Sequence, residues 1–353
     1  MKRVWGIMDV MNIQQNVPLS NYSTMRLGST AAYLAEIQTK DDLLEAIKFA
    51  ESKYLPTIMI GDGSNIVWSD KPYPGLVLVN KIKGFEKFNK DDHIYITVGA
   101  GENWDSIVKR TVDDGLTGIE CLSLIPGTAG ATPVQNVGAY GQETSETLVN
   151  VEAYDCQQKQ FVTILGEDCA FGYRTSRFKT NDKGRFFIVS VTSRLKLANP
   201  MPPFYGAVQD YLSEHKISEY SPRILRDAVI AIRKNKLPDP TKVANNGSFF
   251  ANPIIDKEKF DSLLASYPNL KYWQTDDGKY KLAAGWLVEQ AGFKDAHDKE
   301  TGMATWSNQA LVLVNENAKS SADLLKFKQK IVDKVSQMFG ITLEQEPKFV
   351  DIQ

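Results

Sequence analysis

The chain has 353 residues and a mass of 39.5 kDa, a length that predicts two or three domains and a large buried core. The net charge of −2 gives no field to hold a nucleic acid, and no stretch of about 18 apolar residues predicts a membrane span. Three cysteines without a CxxC pattern and three scattered histidines argue against a disulfide framework and a zinc site. We therefore expect a cytoplasmic protein with no metal and no nucleic-acid or membrane partner.

The first predicted elements alternate between helix and strand. Apolar residues recur at helical spacing from Leu43 to Ala50, behind a capping box formed by Thr39 and Asp42. Apolar runs and alternating residues then predict further strands and one more helix. These elements are a helix from about residue 40, strands at 56–60, 76–79 and 94–98, and a helix at 103–115.

The second half changes character twice. Residues 147–197 carry three β-type runs and predict a sheet-rich middle. Residues 199–206 hold three prolines and must be irregular, so we expect a domain boundary or a mobile loop there. Ser221 and Pro222 then open a helix that Pro238 ends. The remaining predicted elements are a helix at 283–290, a strand at 310–314 and a capped helix at 320–340.

Two glycine-rich segments are candidates for binding a large ligand through the backbone. Residues 61–65 (GDGSN) follow a predicted strand, where N–H groups can approach a pyrophosphate. Ile66 stands where a dinucleotide-binding fingerprint needs glycine or alanine, so a strand-closing turn is an equal alternative. Residues 125–141 hold four glycines and almost no charge, which favours contact with a flat ligand; a structural Ω-loop is the alternative.

Charged side chains of catalytic type occur in two further segments. Arg174 lies among apolar and hydroxyl residues, where its guanidinium can hold a carboxylate or form a structural ion pair. Glu344 and Glu346 alternate near the C-terminus and share a face if the run is a regular strand. A solvated strand is the alternative for these two glutamates.

Ser248 lies in a neutral, irregular segment that follows Lys236 and a proline-containing run. It has no histidine nearby in sequence, which gives a nucleophilic role little support. A hydroxyl that donates a proton is a second hypothesis, and a serine that only forms a turn is the third.

Together these segments resemble one family, the UDP-N-acetylenolpyruvoylglucosamine reductases, over residues 16–349. No single glycine loop would support the resemblance, but eight motifs occur in the family's order. The motifs are residues 21–26, 61–65, 125–127, 135–141, 172–174, 236–240, 247–250 and 284–290.

The resemblance implies an α+β protein with an FAD-binding fold of the vanillyl-alcohol-oxidase (PCMH) type, plus a separate α+β substrate-binding domain. We expect the first FAD-binding subdomain at residues 1–80. The second is expected at residues 81–218, joined by a C-terminal strand at 341–353, and the substrate-binding domain at 219–340. Tyr205, in the proline-rich loop, matches a tyrosine that closes over the substrate diphosphate in one subtype, which we therefore expect here.

In that family NADPH reduces FAD, and hydride then passes to C3 of the enolpyruvyl group of UDP-N-acetylglucosamine enolpyruvate, which gives UDP-N-acetylmuramate for peptidoglycan. Charge developing beside the substrate carboxylate needs electrophilic groups there and a proton donor at C2. The resemblance assigns Arg174 and Glu346 to the carboxylate and Ser248 to the proton. Glu346 can help only if it is protonated or bridged by a cation such as Lys348, so we expect its pKa to be raised.

The resemblance also implies which residues bind the ligands. We expect a monomer that uses FAD as cofactor and NADPH as co-substrate. The residues expected to bind FAD are Gly61, Asp62, Gly63, Ser64, Asn65, Ile125, Pro126, Gly127, Thr132, Gln135, Asn136 and Gly138. The residues expected to bind the substrate are Tyr140, Tyr205, Lys236, Asn252 and Gln290.

The chain departs from the family pattern at both ends. Pro347 and Lys348 follow Glu346 where a hydrophobic residue and an arginine are more familiar, which affects the hydrogen bonding expected around Glu346. About ten residues precede Met11, and we expect either a loose tail or a misplaced start codon.

Two rival functions share part of this evidence. Another FAD-dependent oxidase or dehydrogenase of the same fold would keep the glycine-rich loops, but would have no reason to keep Ser248, Glu346 and Lys236 in these contexts. The second rival is a nucleotide-sugar-binding protein without flavin, or a nicotinamide-only Rossmann protein. Neither binds flavin, so a yellow colour of the purified protein would exclude both.

Overall fold

The N-terminal part of the chain forms a four-stranded sheet covered by a helix, in a computed structural model that describes residues 12–351. Its elements are β1 (Ile13–Pro18), β2 (Thr30–Ile37), α1 (Lys40–Ser52), β3 (Thr57–Ile60), β4 (Ile66–Trp68) and β5 (Tyr73–Asn80). The strand order is β1-β2-β5-β3, with β1 antiparallel to β2 and the other pairs parallel. The extension before Met11 lies outside the described residues.

Helix α1 confirms the predicted capping box. The Asp42 N–H donates to the Thr39 hydroxyl at 3.0 Å, and the Thr39 N–H donates to the Asp42 carboxylate at 2.9 Å. Leu43 lies on the apolar face of the helix, in a core that also contains Tyr154 and Phe187 from the next sheet. The first sheet and its helix therefore pack directly on the second sheet.

The second part of the chain is built on a larger antiparallel sheet. Its elements are β6 (Phe85–Lys90), β7 (His93–Gly99), α2 (Trp104–Asp113), β8 (Leu116–Thr117), β9 (Gly138–Ala139), β10 (Gln142–Glu143), α3 (Thr144–Thr147), β11 (Leu148–Asp155), β12 (Gln160–Leu165) and β13 (Phe186–Leu197). The main strand order is β12-β11-β13-β7-β6, with β8 on β13. The strands predicted in residues 147–197 are confirmed as β11, β12 and β13.

Two helices follow the proline-rich segment, α4 (Gly206–Glu214) and α5 (Pro222–Lys236). Residues 199–205 form neither helix nor strand, as predicted, whereas α4 was not predicted. Ser221 caps α5 by accepting the Ile224 N–H at 3.2 Å. The buried Arg226 of α5 donates to Asp105 of α2 at 2.7 Å, so α5 packs on the second part of the chain.

The C-terminal part combines two small sheets with a long helix. Its elements are β14 (Ala244–Ser248), β15 (Ile254–Ile255), α6 (Lys257–Ser266), β16 (Tyr272–Gln274), β17 (Tyr280–Leu282), α7 (Ala284–Val288), β18 (His297–Asp298), β19 (Met303–Trp306), β20 (Gln309–Asn315), α8 (Ser321–Phe339) and β21 (Lys348–Val350). One antiparallel sheet has the order β14-β20-β19-β18, and the other has the order β15-β17-β16. Helix α8 starts at the predicted capping box of Ser320 and Asp323 and ends at Gly340, whose φ is +61°.

The C-terminal strand β21 pairs in parallel with β4. Strand β4 follows the glycine-rich loop of residues 61–65, and β21 follows the segment that carries Glu344 and Glu346. Its partner therefore lies in the stretch expected to form the first FAD-binding subdomain, and the prediction that it joins the second was wrong. The reason is local: the Lys348 N–H donates to the carbonyl of Asn65, the last residue of the loop of residues 61–65, at 2.9 Å. The end of the chain is thus tied to a candidate cofactor loop.

Candidate active site

The two glycine-rich segments lie against each other. The Ser64 hydroxyl donates to the Pro126 carbonyl at 3.1 Å. A Cβ added to Gly61 would stand 2.3 Å from the Thr128 hydroxyl oxygen, so only glycine permits this approach. Ile125 is half-buried and packs against the core of the second sheet. Residues 64 and 126 are 62 positions apart in sequence, and folding brings them together at one crevice.

Side chains further along both segments extend this contact. The Asn65 amide donates to the Gln135 side-chain oxygen at 2.5 Å. A Cβ on Gly63, whose φ is +71°, would stand 2.1 Å from the Tyr22 carbonyl oxygen. Asp62 forms an ion pair with Lys81 at 3.8 Å. The loop of residues 61–65 is therefore fixed on both sides by groups that need its small residues.

The second half of the longer segment is held by buried polar contacts. The Asn136 amide donates to the Glu143 carboxylate at 2.8 Å, and its side-chain oxygen accepts the Ser145 N–H at 2.9 Å. Thr132 is buried and its hydroxyl donates to the Ala129 carbonyl at 2.8 Å. These side chains hold the loop in shape, so its conformation is set before any ligand binds.

These features fit a flavin dinucleotide. Glycines at close approaches let the loop of residues 61–65 lie directly against neighbouring segments, as Gly61 does against Thr128 and Gly63 against Tyr22. The polar side chains beside them are mainly neutral hydroxyls and amides, which can hydrogen-bond a cofactor without strong charge. The crevice between residues 61–65 and 125–138 is therefore the place that would hold FAD.

Arg174 lies at the edge of this crevice with a left-handed backbone, at φ +55°. Its Nη2 donates to the Gly138 carbonyl at 2.8 Å, which ties it to the end of the longer glycine-rich segment. Its Nε is buried without a hydrogen-bond partner and lies 3.5 Å from a carboxylate oxygen of Glu346. A buried N–H that lacks a good acceptor is available to a ligand carboxylate.

Glu346 is the other half of this pair. Burial raises the pKa of Glu346, against the opposing effects of Arg174 and Lys179, and the raised pKa predicted from the sequence is confirmed. The positive charges beside Glu346 are Arg174 and Lys179, whereas Lys348 faces the positive charge of Lys183. Of the two alternatives left open for Glu346, a raised pKa or a bridge to a cation such as Lys348, the structure supports the first, since the cations that act on Glu346 are Arg174 and Lys179.

The expected strand through the two glutamates does not form as a regular element. Gln345 makes one isolated antiparallel bridge with Phe250, and β21 starts only at Lys348. Glu344 is exposed, while the Glu346 side chain is only 14% exposed. The bend at Pro347 separates the bridge from the strand and lets Glu346 turn toward Arg174.

Ser248 ends β14 at a bulge, after Gly247 with φ +71°. The next residue, Phe249, is fully buried, and its carbonyl accepts the Glu346 N–H at 2.9 Å. Glu346 thus donates a backbone hydrogen bond to the residue that follows Ser248, although 98 positions separate Ser248 and Glu346 in sequence. The structure brings the three predicted catalytic residues into one neighbourhood.

Asn246 connects this neighbourhood to the cofactor crevice, and sequence reasoning missed it. The residue is 7% exposed, and its amide group donates to the Ser64 carbonyl at 3.1 Å and to the Thr24 hydroxyl at 3.1 Å. Its side-chain oxygen is buried without a hydrogen-bond partner. Asn246 therefore fixes the strand that carries Ser248 against the loop of residues 61–65.

The two tyrosines predicted for the substrate lie together. The rings of Tyr140 and Tyr205 meet edge to face, with centroids 5.8 Å apart, and Tyr205 is 41% exposed. Arg233, in α5, lies close enough to Tyr140 for the two groups to influence each other's pKa, and its Nε is buried without a hydrogen-bond partner. Burial lowers the pKa of Arg233, and burial raises the pKa of Tyr140. Arg233 had no sequence signal beyond its helical position.

Lys236 lies at the end of α5, near Glu289. Both residues line an open cavity of about 880 Å³, and Gln290 follows Glu289 at an exposed position. Partial burial of the ammonium group lowers the pKa of Lys236, which Glu289 opposes. Lys236 and Gln290, predicted to act on one ligand, thus lie on neighbouring elements.

Asn252 sits between two parts of the chain. Its side-chain oxygen accepts the Ala284 N–H at 3.0 Å, and its own N–H donates to the Tyr173 hydroxyl at 3.3 Å. Tyr173 precedes Arg174, and the Arg174 guanidinium lies 5.5 Å from the Tyr173 ring centroid. Asn252 therefore links the C-terminal part to the segment that carries Arg174.

Fold and crevice together define a flavoprotein class. The family model described as FAD binding domain matches residues 31–163. The crystal structure of UDP-N-acetylenolpyruvylglucosamine reductase from Thermus caldophilus has the same fold, with a TM-score of 0.67 at 21% identity. That match covers 96% of this chain and 99% of the Thermus chain. The predicted α+β fold with an FAD-binding half is confirmed.

Relatives identify the family within this class. The family model described as UDP-N-acetylenolpyruvoylglucosamine reductase, C-terminal domain, matches residues 239–350. The UDP-N-acetylenolpyruvoylglucosamine reductase of Ralstonia nicotianae is 40% identical over 95% of this chain and 98% of its own length. The reductases of Amoebophilus asiaticus and Escherichia coli are 40% and 36% identical, over 96% and 95% of this chain and 100% and 96% of theirs. The chain belongs to the UDP-N-acetylenolpyruvoylglucosamine reductase family.

Proposed function

We propose that this chain reduces the enolpyruvyl group of UDP-N-acetylglucosamine enolpyruvate to UDP-N-acetylmuramate, a step of peptidoglycan and cell-wall synthesis. It uses FAD as cofactor and NADPH as electron donor. The observation that carries the proposal is the pair of Arg174 and Glu346, whose side chains lie 3.5 Å apart next to the backbone that carries Ser248. A carboxylate-binding pair beside a proton donor is what this reduction needs.

The bound flavin supplies the hydride. Arg174 binds the substrate carboxylate through its buried Nε, which lacks a good hydrogen-bond partner in the folded chain. Glu346, with its raised pKa, can hold a proton and donate a hydrogen bond to the same carboxylate. Both groups stabilise the negative charge that develops on that carboxylate during the reaction.

Ser248 donates the proton that completes the product at C2. A serine hydroxyl is a weak acid, so the transfer depends on charge accumulating at the carbon that receives the proton. The bulge at the end of β14 and the contacts of Asn246 hold Ser248 beside the crevice. This placement supports proton donation over the alternative of a serine that only shapes a turn.

The nucleotide part of the substrate lies toward Tyr140, Tyr205 and Lys236. A lysine and tyrosine hydroxyls can bind a diphosphate, and Tyr205 is exposed enough to close over it. Asn252 and Gln290 complete the set of residues that we assign to the substrate. The tyrosine-loop subtype follows from Tyr205 and its edge contact with Tyr140.

The cofactor lies in the crevice between residues 61–65 and 125–138. Close glycine contacts and neutral polar side chains support this assignment. Residues 1–80 and 81–218 are the two FAD-binding subdomains, and residues 219–340 bind the substrate. Helix α5 starts the third unit but packs on α2 of the second, so it forms the seam between them.

The protein acts as a monomer in the cytoplasm, without a nucleic-acid or membrane partner. None of the helices in residues 12–351 combines the length and the apolar character that a membrane span requires. The net charge of −2 also gives little attraction for nucleic acid. An elution volume in gel filtration that matches 39.5 kDa tests the monomer.

One assay separates this function from its rivals. NADPH oxidation is followed with the purified yellow protein, with and without the enolpyruvyl nucleotide. Oxidation that depends on the nucleotide supports the proposal. A yellow protein that oxidises NADPH at the same rate without the nucleotide is instead an oxidase of the same fold, and a colourless protein contradicts both assignments.

A further inference from the structure

Lys179 lies five residues after Arg174 and contacts it directly. The Lys179 ammonium group donates to the Arg174 carbonyl at 3.1 Å. The lysine is half-buried, and burial lowers its pKa, while Glu346 and Glu344 act in the opposite direction. A cation is therefore kept near Glu346 although water is partly excluded from it.

Arg174 needs such a contact because of its backbone. Its φ of +55° is a left-handed conformation that residues other than glycine adopt only when their surroundings fix it. Gly172 and Thr175 fix it from one side, through two reciprocal backbone hydrogen bonds of 3.2 Å. The Lys179 contact fixes the Arg174 carbonyl from the other side.

We propose that Lys179 is a positioning residue, which holds the Arg174 backbone in its left-handed conformation and places a second positive charge beside Glu346. The proposal rests on the proposed function, since the group that Arg174 and Glu346 serve is the carboxylate of the substrate. Lys179 itself does not touch the reacting atoms. Its role is to aim Arg174 and to set the protonation of Glu346.

The charges around Glu346 define what the loss of Lys179 changes. Arg174 and Lys179 favour the carboxylate form of Glu346, and Tyr173 and Glu344 complete the nearby titratable groups. Without Lys179, one of two positive charges is lost. Glu346 then holds its proton to higher pH.

The first test measures binding of two nucleotides to the flavin-loaded protein. UDP-N-acetylmuramate carries the carboxylate, whereas UDP-N-acetylglucosamine does not. Lys179→Met is expected to weaken binding of UDP-N-acetylmuramate about tenfold, because Arg174 would no longer be held where it can bind the carboxylate. Binding of UDP-N-acetylglucosamine is expected to change less than about twofold. Lys183→Met, an exposed lysine on the same segment, is the matched control and is expected to change neither.

The second test is the pH profile of flavin reoxidation by the enolpyruvyl nucleotide. In Lys179→Met the limb at which activity is lost with rising pH is expected to move upward by about one pH unit, because Glu346 stays protonated longer. Lys179→Arg keeps the charge and the donor, and is expected to restore both the limb and UDP-N-acetylmuramate binding. The arginine variant also provides a folded comparison if the methionine variant is unstable.

The outcomes separate the two proposals. If wild-type protein shows no reoxidation by the enolpyruvyl nucleotide, the proposed function fails. If the wild type is reoxidised but Lys179→Met binds UDP-N-acetylmuramate and titrates like Lys183→Met, the role of Lys179 is overturned. The role is also overturned if a folded Lys179→Arg protein loses as much binding as Lys179→Met.

Discussion

The two ends of the candidate site differ in how they hold their charges. At the carboxylate end, Arg174 and Glu346 are 25% and 14% exposed in their side chains. At the nucleotide end, Tyr205 is 41% exposed and Lys236 lies on an open cavity. One end is enclosed by backbone from distant parts of the chain, and the other opens to solvent.

This difference matches the work of each end. Charge that develops during a reaction is stabilised most by fixed groups in a dry place, because the effective dielectric constant is low there. A diphosphate that must enter and leave is better held by exposed side chains on mobile stems. Variants at the carboxylate end should therefore change the rate of chemistry together with binding of the carboxylate, and variants at the nucleotide end should change affinity with little effect on the rate of chemistry.

The largest effect is expected from Ser248→Ala. Loss of the proton donor should slow flavin reoxidation by the enolpyruvyl nucleotide by about 10²–10⁴-fold and leave reduction by NADPH nearly intact. Stopped-flow absorbance of the flavin measures the two half-reactions separately. Ser266→Ala, at an exposed serine on α6, is the control. Equal loss in both half-reactions would remove the proton-donor role.

Glu346→Gln should combine a loss of activity with a gain in stability at neutral pH. The raised pKa means that the folded protein keeps the Glu346 proton where the unfolded chain has lost it. Its contribution to stability is thus full below the unfolded pKa and is lost as pH rises through the folded pKa. Glutamine cannot ionise, so the variant should melt above wild type at neutral pH and equal it near pH ~4.

Reoxidation by the enolpyruvyl nucleotide should slow about 100-fold in Glu346→Gln, as expected for a weakened donor at the developing charge. Melting curves and stopped-flow traces across pH measure both effects. Glu344→Gln, at the exposed neighbouring glutamate, is the matched control. A melting temperature that falls at neutral pH would contradict the raised pKa.

Lys236→Ala tests the nucleotide end. We expect binding of the nucleotide to weaken about tenfold, because one charge-assisted contact to the diphosphate is lost, with the maximal rate little changed. Steady-state kinetics give the split between KM and kcat. Lys234→Ala removes an exposed lysine two positions away on α5 and should behave like wild type. An unchanged KM in Lys236→Ala would place Lys236 outside the site.

The smallest effect is expected far from both ends, at the cap of α1. Thr39→Ala removes the hydroxyl that accepts the Asp42 N–H and should lower the free energy of unfolding by about 1 kcal/mol, without changing either half-reaction. Urea unfolding measures the stability. A loss of activity in this variant would contradict the expectation that the cap of α1 stabilises the fold without affecting the site.

Local signals made the regular elements predictable. The capping boxes at Thr39 and Ser320 fixed the starts of two helices, since short hydrogen-bond patterns depend only on neighbouring residues. Helix α4 was missed because the prolines before it obscure a start signal, and its first residue is Gly206. The family's motifs supplied the residue types of the site.

What the sequence could not supply are contacts between distant segments. Arg174 and Glu346 are 172 positions apart, and nothing local indicates that they pair or that the bend at Pro347 turns Lys348 away. The same holds for Lys179, which reads as an ordinary surface lysine until its contact with the Arg174 carbonyl is seen. A left-handed φ at a residue other than glycine also leaves no mark in the sequence.

The most direct test of the central claim is anaerobic mixing of NADPH-reduced protein with the enolpyruvyl nucleotide. The arrangement of Arg174, Glu346 and Ser248 predicts rapid return of the oxidised flavin spectrum, with UDP-N-acetylmuramate as the product by mass spectrometry. A flavin that stays reduced until oxygen is admitted would contradict it.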